Sequence, residues 1–167
     1  MLKAVSTLLL CFLVVGCSLR GVTTEVTRFN KMPMPFAGRT FYVLPQNEQK
    51  ASLEFDLYAR QVARELTTYG LAEESSLGKS DYAVLFDYDV YPGTRETPFL
   101  RKFRVWLYDN NQTTREKAVP VFESGTSSFG SSHRFNEVAS CIIRATFEGF
   151  PGRNGETLKK SYPSEAC

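Results

Sequence analysis

The chain has 167 residues, 43% hydrophobic and 23% charged, with 20 Lys and Arg against 18 Asp and Glu and a formal net charge of +2. That balance excludes a disordered or fibrous chain, and it argues against a nucleic-acid binder, which concentrates basic charge in a patch. The length suits one domain with a single core.

Residues 1–17 open with Lys3, continue as an apolar run from Ala4 to Val15 interrupted by Ser6 and Thr7, and end in Gly16-Cys17. The run is too short for a bilayer, which takes about 20 helical residues, so it reads as a secretory signal peptide. Leu13-Val14-Val15-Gly16-Cys17 resembles the lipobox of bacterial lipoproteins. The resemblance implies removal of residues 1–16, a diacylglycerol thioether on Cys17 and an acylated new amino terminus, palmitate being the usual kind of chain. The competing reading is an ordinary signal peptide with a chance cysteine. Cys11 follows Leu10, which is too large for a cleavage site. Several acyl chains on one residue give stable attachment, since each buried CH₂ contributes about 0.8 kcal/mol. Ser18 after the cysteine is compatible, in the enterobacterial sorting scheme, with an outer-membrane position facing the periplasm. Cleavage removes Lys3 and no acid, leaving 19 of the 20 basic residues against 18 acidic ones.

Residues 17–24 read as a lipidated tether, 25–152 as a single domain and 153–167 as a polar C-terminal tail. Alternation from Glu25 to Met32, with Val26 and Arg28 against Thr27 and Phe29, suggests a first strand, broken by Pro33, Pro35 and Gly38. Phe41-Tyr42-Val43-Leu44 is a β-prone apolar run ending at Pro45. Over residues 52–69 the period changes: Phe55, Tyr58, Val62, Leu66 and Tyr69 recur at three and four, as in an amphipathic helix. Ser52 suits its N-cap, Glu54 and Asp56 its first turn, and Gly70 its end.

Asp81 to Tyr91 and Leu100 to Asp109 read as a hairpin. Pairing positions whose numbers sum to 191 sets Val84 opposite Leu107, Phe86 opposite Val105 and Tyr88 opposite Phe103. The same register sets Asp87 opposite Arg104 and Asp89 opposite Lys102, each pair favourable by a few tenths to about 1 kcal/mol. A slip of one residue would bring aspartates against the apolar row. Lys117 to Phe122 leads to another strand, with Pro120 favouring an edge or a bulge, and Gly125 to Ser132 reads as a Ser/Gly loop. A second helix runs from about Phe135 to Phe147, closing before Phe150-Pro151-Gly152.

The order is β-β-α-β-β-β-α, which favours an α+β fold: a mainly antiparallel sheet of about five strands with two helices packed on it. The lipobox, the Tyr42-Val43-Leu44-Pro45 strand, the Tyr69-Gly70 turn, the Asp81-Tyr82 strand start and the Phe150-Pro151 helix end occur in that order. Together they resemble a family of bacterial membrane lipoproteins defined by a domain of unknown function, spanning most of residues 40–152. The resemblance implies a periplasm-facing α+β domain and carries no catalytic residues.

In an oxidising compartment Cys141 and Cys167 could pair as a disulfide, or Cys141 could stay a lone buried thiol. The candidate nucleophile loop around Ser127 and Ser128 has Phe129 where a nucleophile elbow needs glycine, although His133 stands nearby. One His and two thiols cannot make a typical closed zinc site, Asp81, Asp87 and Asp89 have structural readings, and no phosphate-binding glycine loop occurs. No metal or cofactor is expected. Leu85, Trp106, Tyr108 and Tyr91 could form an apolar strip on the hairpin face that bears the charge pairs; the competing reading covers them with a helix. The expectation is therefore an anchored, non-catalytic envelope lipoprotein whose partners are the membrane, through Cys17, and another envelope protein or ligand. An envelope hydrolase using Ser127 or Ser128 with His133, and a lipid or small-molecule carrier, are the alternatives.

Overall fold

The computed structural model describes residues 21–46, 49–96, 98–114 and 116–167, so Cys17 and the signal segment lie outside the described residues. Strands β1 (Gly21–Asn30) and β2 (Thr40–Val43) come first, then helix α1 (Leu53–Thr68) and the two-residue strand β3 (Ala72–Glu73). The long strands β4 (Tyr82–Pro92), β5 (Phe99–Asp109) and β6 (Pro120–Gly130) follow, then helix α2 (Ala139–Phe147) and strand β7 (Thr157–Pro163). They form one seven-stranded sheet in the order β3-β2-β4-β5-β6-β1-β7. The fold is α+β.

Several expectations need correction. The sheet has seven strands rather than about five, and although mainly antiparallel it is mixed: α1 carries the chain back to the end from which β2 started, so β2 runs parallel to both β3 and β4. The tether is shorter than expected, because β1 starts at Gly21, and residues 153–167 are no free tail, because β7 pairs with β1 from Gly21↔Pro163 to Thr27↔Thr157. Residues 125–130 are the second half of β6 rather than a loop. Their buried side chains, Thr126 and Ser128, are small and polar, and Thr126 shares a 2.7 Å hydrogen bond with Thr146 of α2.

The hairpin register holds along its whole length, from Tyr82↔Asp109 to Pro92↔Phe99, with Phe86 opposite Val105 and Asp87 opposite Arg104. Helix α1 starts as its sequence suggests: Ser52 Oγ accepts from the Phe55 amide at 3.2 Å. It buries Phe55, Tyr58, Val62, Ala63 and Leu66, and Gly70 leaves the helix at φ +88°. Phe55 stacks on Phe86 at 4.8 Å and Tyr58 meets Tyr88 edge-on at 4.9 Å, while Phe147 of α2 lies over Phe122. Both helices thus cover the sheet face that carries the even-numbered residues of β4 and β6. Helix α2 is shorter than expected, with Phe135 and Val138 held in the core by a 3-10 turn before it.

The end of α2 is closed from across the sheet. Arg28, 1% exposed, projects from β1 and donates from Nε to the Thr146 carbonyl (3.2 Å) and from Nη2 to those of Ala145 (2.9 Å) and Glu148 (2.8 Å). The Arg144 carbonyl is taken by the Glu148 amide and that of Phe147 by the Phe150 amide. Every carbonyl in the last turn therefore has a partner, and a positive charge sits at the negative end of the helix dipole. The chain then wraps around the guanidinium: Gly152 has φ +75°, and a Cβ there would lie 3.1 Å from Arg28 Nη1.

Candidate functional site

Neither helix packs on the second face of the sheet. The strand registers arrange its side chains in rows across the strands. At one end Tyr91, Leu100 and Phe129 lie opposite one another. Next comes Asp89–Lys102–Ser127–Glu25–Lys159, then Asp87–Arg104–Gly125–Thr27–Thr157. Beyond them lies Leu85–Trp106–Glu123–Phe29, flanked by Tyr42, Ala83 and Tyr108. Two apolar bands are thus separated by a charged belt.

Within the belt, Asp87, Asp89 and Arg104 pair with one another. Arg104 forks onto Asp87, Nε to Oδ1 at 2.9 Å and Nη2 to Oδ2 at 2.8 Å, with Asp89 Oδ2 at 3.6 Å. This bidentate contact raises the Arg104 pKa. Its guanidinium also lies 5.6 Å from the Trp106 ring centre, and the Lys102 ammonium lies 5.4 Å from that of Tyr91. Tyr91 donates its hydroxyl to Asp89 at 3.0 Å, which raises the phenol pKa. Side-chain exposures of 47% and 30% for Arg104 and Asp87 keep the pair in contact with water.

The four residues expected to form one strip are not contiguous. Leu85, Trp106 and Tyr108 are neighbours, half-buried by the strands beside them. Tyr91 shares their face but lies six residues from Leu85 along β4, about 20 Å in an extended strand, with both charged rows between. Its neighbours are Leu100 and Phe129 instead. Phe129 and Phe29, exposed by 56% and 52%, are members of this face that the sequence reading missed. The i, i+2 pattern of Glu123, Gly125, Ser127 and Phe129 marks the strand, but serine and glycine made it look like a loop. Beside Phe29 a concavity of about 270 Å³ is lined by Asn30, Lys31, Val121 and Glu123 among others.

The hydrolase residues are not brought together. Ser127 and Ser128 point to opposite faces of β6, and Ser128 accepts a hydrogen bond from the buried Arg101 at 3.3 Å. His133 is exposed beyond the strand with its ring 5.8 Å from that of Phe99, and no hydrogen bond among the described residues joins it to either serine. For a carrier, the space between sheet and helices would have to be open, whereas stacked and edge-on aromatic pairs fill it. A groove of about 880 Å³ does open outside it, lined by Leu44, Gln46, Gln49, Lys50 and Asp89, where Gln49 donates to the Phe86 carbonyl at 3.1 Å. Among the described residues no group of three or more His, Cys, Asp or Glu could hold a metal, and no helix is long and apolar enough to cross a membrane. Asp81 receives the Thr40 amide at 2.9 Å and, with Thr40 and Arg39 around it, has a lowered pKa. Cys141 and Cys167 form a disulfide that ties the C-terminus to α2, where Ser140 Oγ also meets the Cys167 carbonyl.

No protein-family model matches the chain, and no curated protein matches it. Solved structures with a similar fold include a PDZ domain protein from Parabacteroides distasonis, 16% identical with a TM-score of 0.57, aligned over 85% of this chain and 40% of that one. This chain thus spans less than half the length of that protein. The PelC dodecamer from Paraburkholderia phytofirmans is 12% identical with a TM-score of 0.53, aligned over 78% and 99% of the two chains. A DUF4136 family protein from Bacteroides thetaiotaomicron is 8% identical with a TM-score of 0.55, aligned over 78% and 96%. At these identities the likeness is one of fold. The last protein belongs to a family defined by a domain of unknown function, the class of family that the sequence resembles.

Proposed function

We propose that this chain is a non-catalytic lipoprotein of the bacterial envelope, acylated at Cys17, facing the periplasm from the outer membrane. Through the Leu85–Trp106–Tyr108 end of its open sheet face it binds another envelope component. One observation carries the binding part: α1 and α2 lie on one face, and among the described residues no helix covers Trp106 and Tyr108 on the other. Tryptophan, tyrosine and arginine dominate binding energy at protein interfaces, and here Arg104 stacks on Trp106 beside a charged rim. The lipobox supports the anchor.

Acylation is tested by labelling cells with an alkyne fatty acid; the label is expected on the wild type and absent from Cys17→Ala. Binding is tested by placing a photo-crosslinking amino acid at Trp106, Tyr108 or the exposed Arg64 of α1 in intact cells. Positions 106 and 108 should yield one adduct of the same mass, identified by mass spectrometry, that Arg64 does not. Equal crosslinking at all three sites, or none at 106 and 108, refutes the binding face. A second reading, in which the component is a further copy of this chain, is favoured by the dodecameric state of one solved structure with this fold. It predicts an adduct of twice the protein's own mass.

A further inference from the structure

We infer that the Tyr91–Leu100–Phe129 row is where the domain rests on the phospholipid bilayer that holds its anchor, with the Tyr91 and Phe129 rings at headgroup depth. This rests on the acylation of Cys17 proposed above. The tether sets the geometry. From the Cα of Cys17 to that of Gly21, where β1 begins, there are four residue steps, which reach at most about 14 Å whatever their conformation. The entry point of the sheet is therefore held close to the lipid.

The registers show what lies at that end. Gly21 pairs with Pro163, Thr24 with Ser128, Ser128 with Arg101 and Arg101 with Val90. The start of β1, the ends of β4, β6 and β7 and the start of β5 thus share one edge of the domain. Phe129 follows Ser128, the last residue of β6 that pairs with β1. At the usual spacing between strands, Phe129, Leu100 and Tyr91 follow at about 5, 10 and 15 Å from β1. Phe129 and Leu100 thus lie within a distance of β1 comparable to the tether's reach, and Tyr91 just beyond it.

Its chemistry suits that position. Phe129 is 56% exposed and Tyr91 42% exposed, and aromatic side chains collect at membrane–water interfaces, where an apolar body and a polar edge are both accommodated. The remaining exposed aromatic of this face, Phe29, lies eight residues along β1 from Gly21, about 26 Å away, in the row of Trp106. The two apolar bands therefore differ in distance from the anchor: the near one meets lipid, and the far one is held roughly 20 Å above it by the charged belt.

The test uses the full acylated chain in vesicles of phosphatidylethanolamine and phosphatidylglycerol, with an environment-sensitive fluorophore on Phe129→Cys, Tyr91→Cys or Trp106→Cys. The native Cys141–Cys167 pair is bridged and does not react. Nitroxide-bearing lipids should quench the fluorophore at 129 and 91 several-fold more strongly than at 106. Flotation with the vesicles, compared with Cys17→Ala, reads the anchor separately. If the protein floats through Cys17 but 129 and 91 are quenched no more than 106, the docking row is overturned and the anchor stands. If flotation does not depend on Cys17, both fall. Two sites on different strands guard against a local failure of one variant to fold.

Discussion

Replacing Arg28 with Met retains most of the side chain's length and removes the charged group that closes α2. Three carbonyls then lose their donor: Ala145, Thr146 and Glu148, at 2.9, 3.2 and 2.8 Å from the guanidinium. Hydrogen bonds to charged groups contribute about 1.5–3 kcal/mol each, a gross loss of several kcal/mol. Against this stands the relief of desolvation, which is the main reason the Arg28 pKa is lowered. Nη1, buried with no hydrogen-bond partner among the described residues, adds to that relief. Loss of one side of a buried charged network typically costs about 3–5 kcal/mol, a large part of the roughly 5–15 kcal/mol that holds a domain folded. At about 2–4 °C per kcal/mol for a chain of this size, the melting temperature should fall by roughly 10 °C. Arg28→Lys keeps a charge at the helix end without the planar fork, so it should fall between the two. Urea unfolding followed by circular dichroism measures both. A loss under about 1 kcal/mol for Arg28→Met would show that water satisfies the α2 carbonyls and that the cross-sheet cap is dispensable.

Opening the Cys141–Cys167 bridge, with a sequence separation of 26, should lower stability by about 3 kcal/mol through the freedom returned to the unfolded chain; an unchanged urea midpoint for Cys167→Ser would contradict this. Glu148 is held below the ordinary carboxyl range by hydrogen bonds from Lys160 and Tyr162, and Asp81 chiefly by the Thr40 amide. Both carboxyls bind protons more weakly folded than unfolded, so their contribution is full above the unfolded values of about 4 and is lost as pH falls through the lower folded ones. The melting temperature should therefore drop below about pH 4, and Glu148→Gln should flatten that limb; an equally steep limb in the variant would exclude Glu148 as a source.

How much could be read from the sequence depended on whether a strand's buried side was apolar. In β4 and through the middle of β5 it is, and alternation located both strands to within a residue and their register without error. In β6 the buried residues include Ser124, Thr126 and Ser128, and in β1 Thr24 and Arg28. There the core is built from hydroxyls, an arginine and the end of α2, so hydrophobic period carries little signal. Strand β7 hides for a related reason: only Leu158, Tyr162 and Pro163 are apolar in Thr157–Pro163, and its partner is the distant β1. The parallel pairing of β2 follows from a crossover and leaves no mark on composition. At the candidate site, alternation placed Leu85, Trp106, Tyr108 and Tyr91 on one face, but a shared face is not a shared patch. Distance along the strand divides them, and Phe129 joins Tyr91 only across strands that the sequence could not order.

A sheet covered on one face commonly presents polar residues over the whole of the other. This face is banded instead along the strand direction: apolar at the end where β1 begins, charged through two rows, apolar again at the far end. Charge pairs such as Asp87–Arg104 hold the middle in water, so one continuous apolar cover over the whole face would have to desolvate them at a cost exceeding their exposed pairing energy of about 1 kcal/mol or less. Two separate covers avoid that cost. With the anchor proposed at Cys17, a short tether would bring the near band to lipid, and the far band, with Arg104 over Trp106, would be left for the proposed partner. The two assignments stand on different residues and different measurements, so quenching at 129 without crosslinking at 106, or the reverse, would retire one and leave the other.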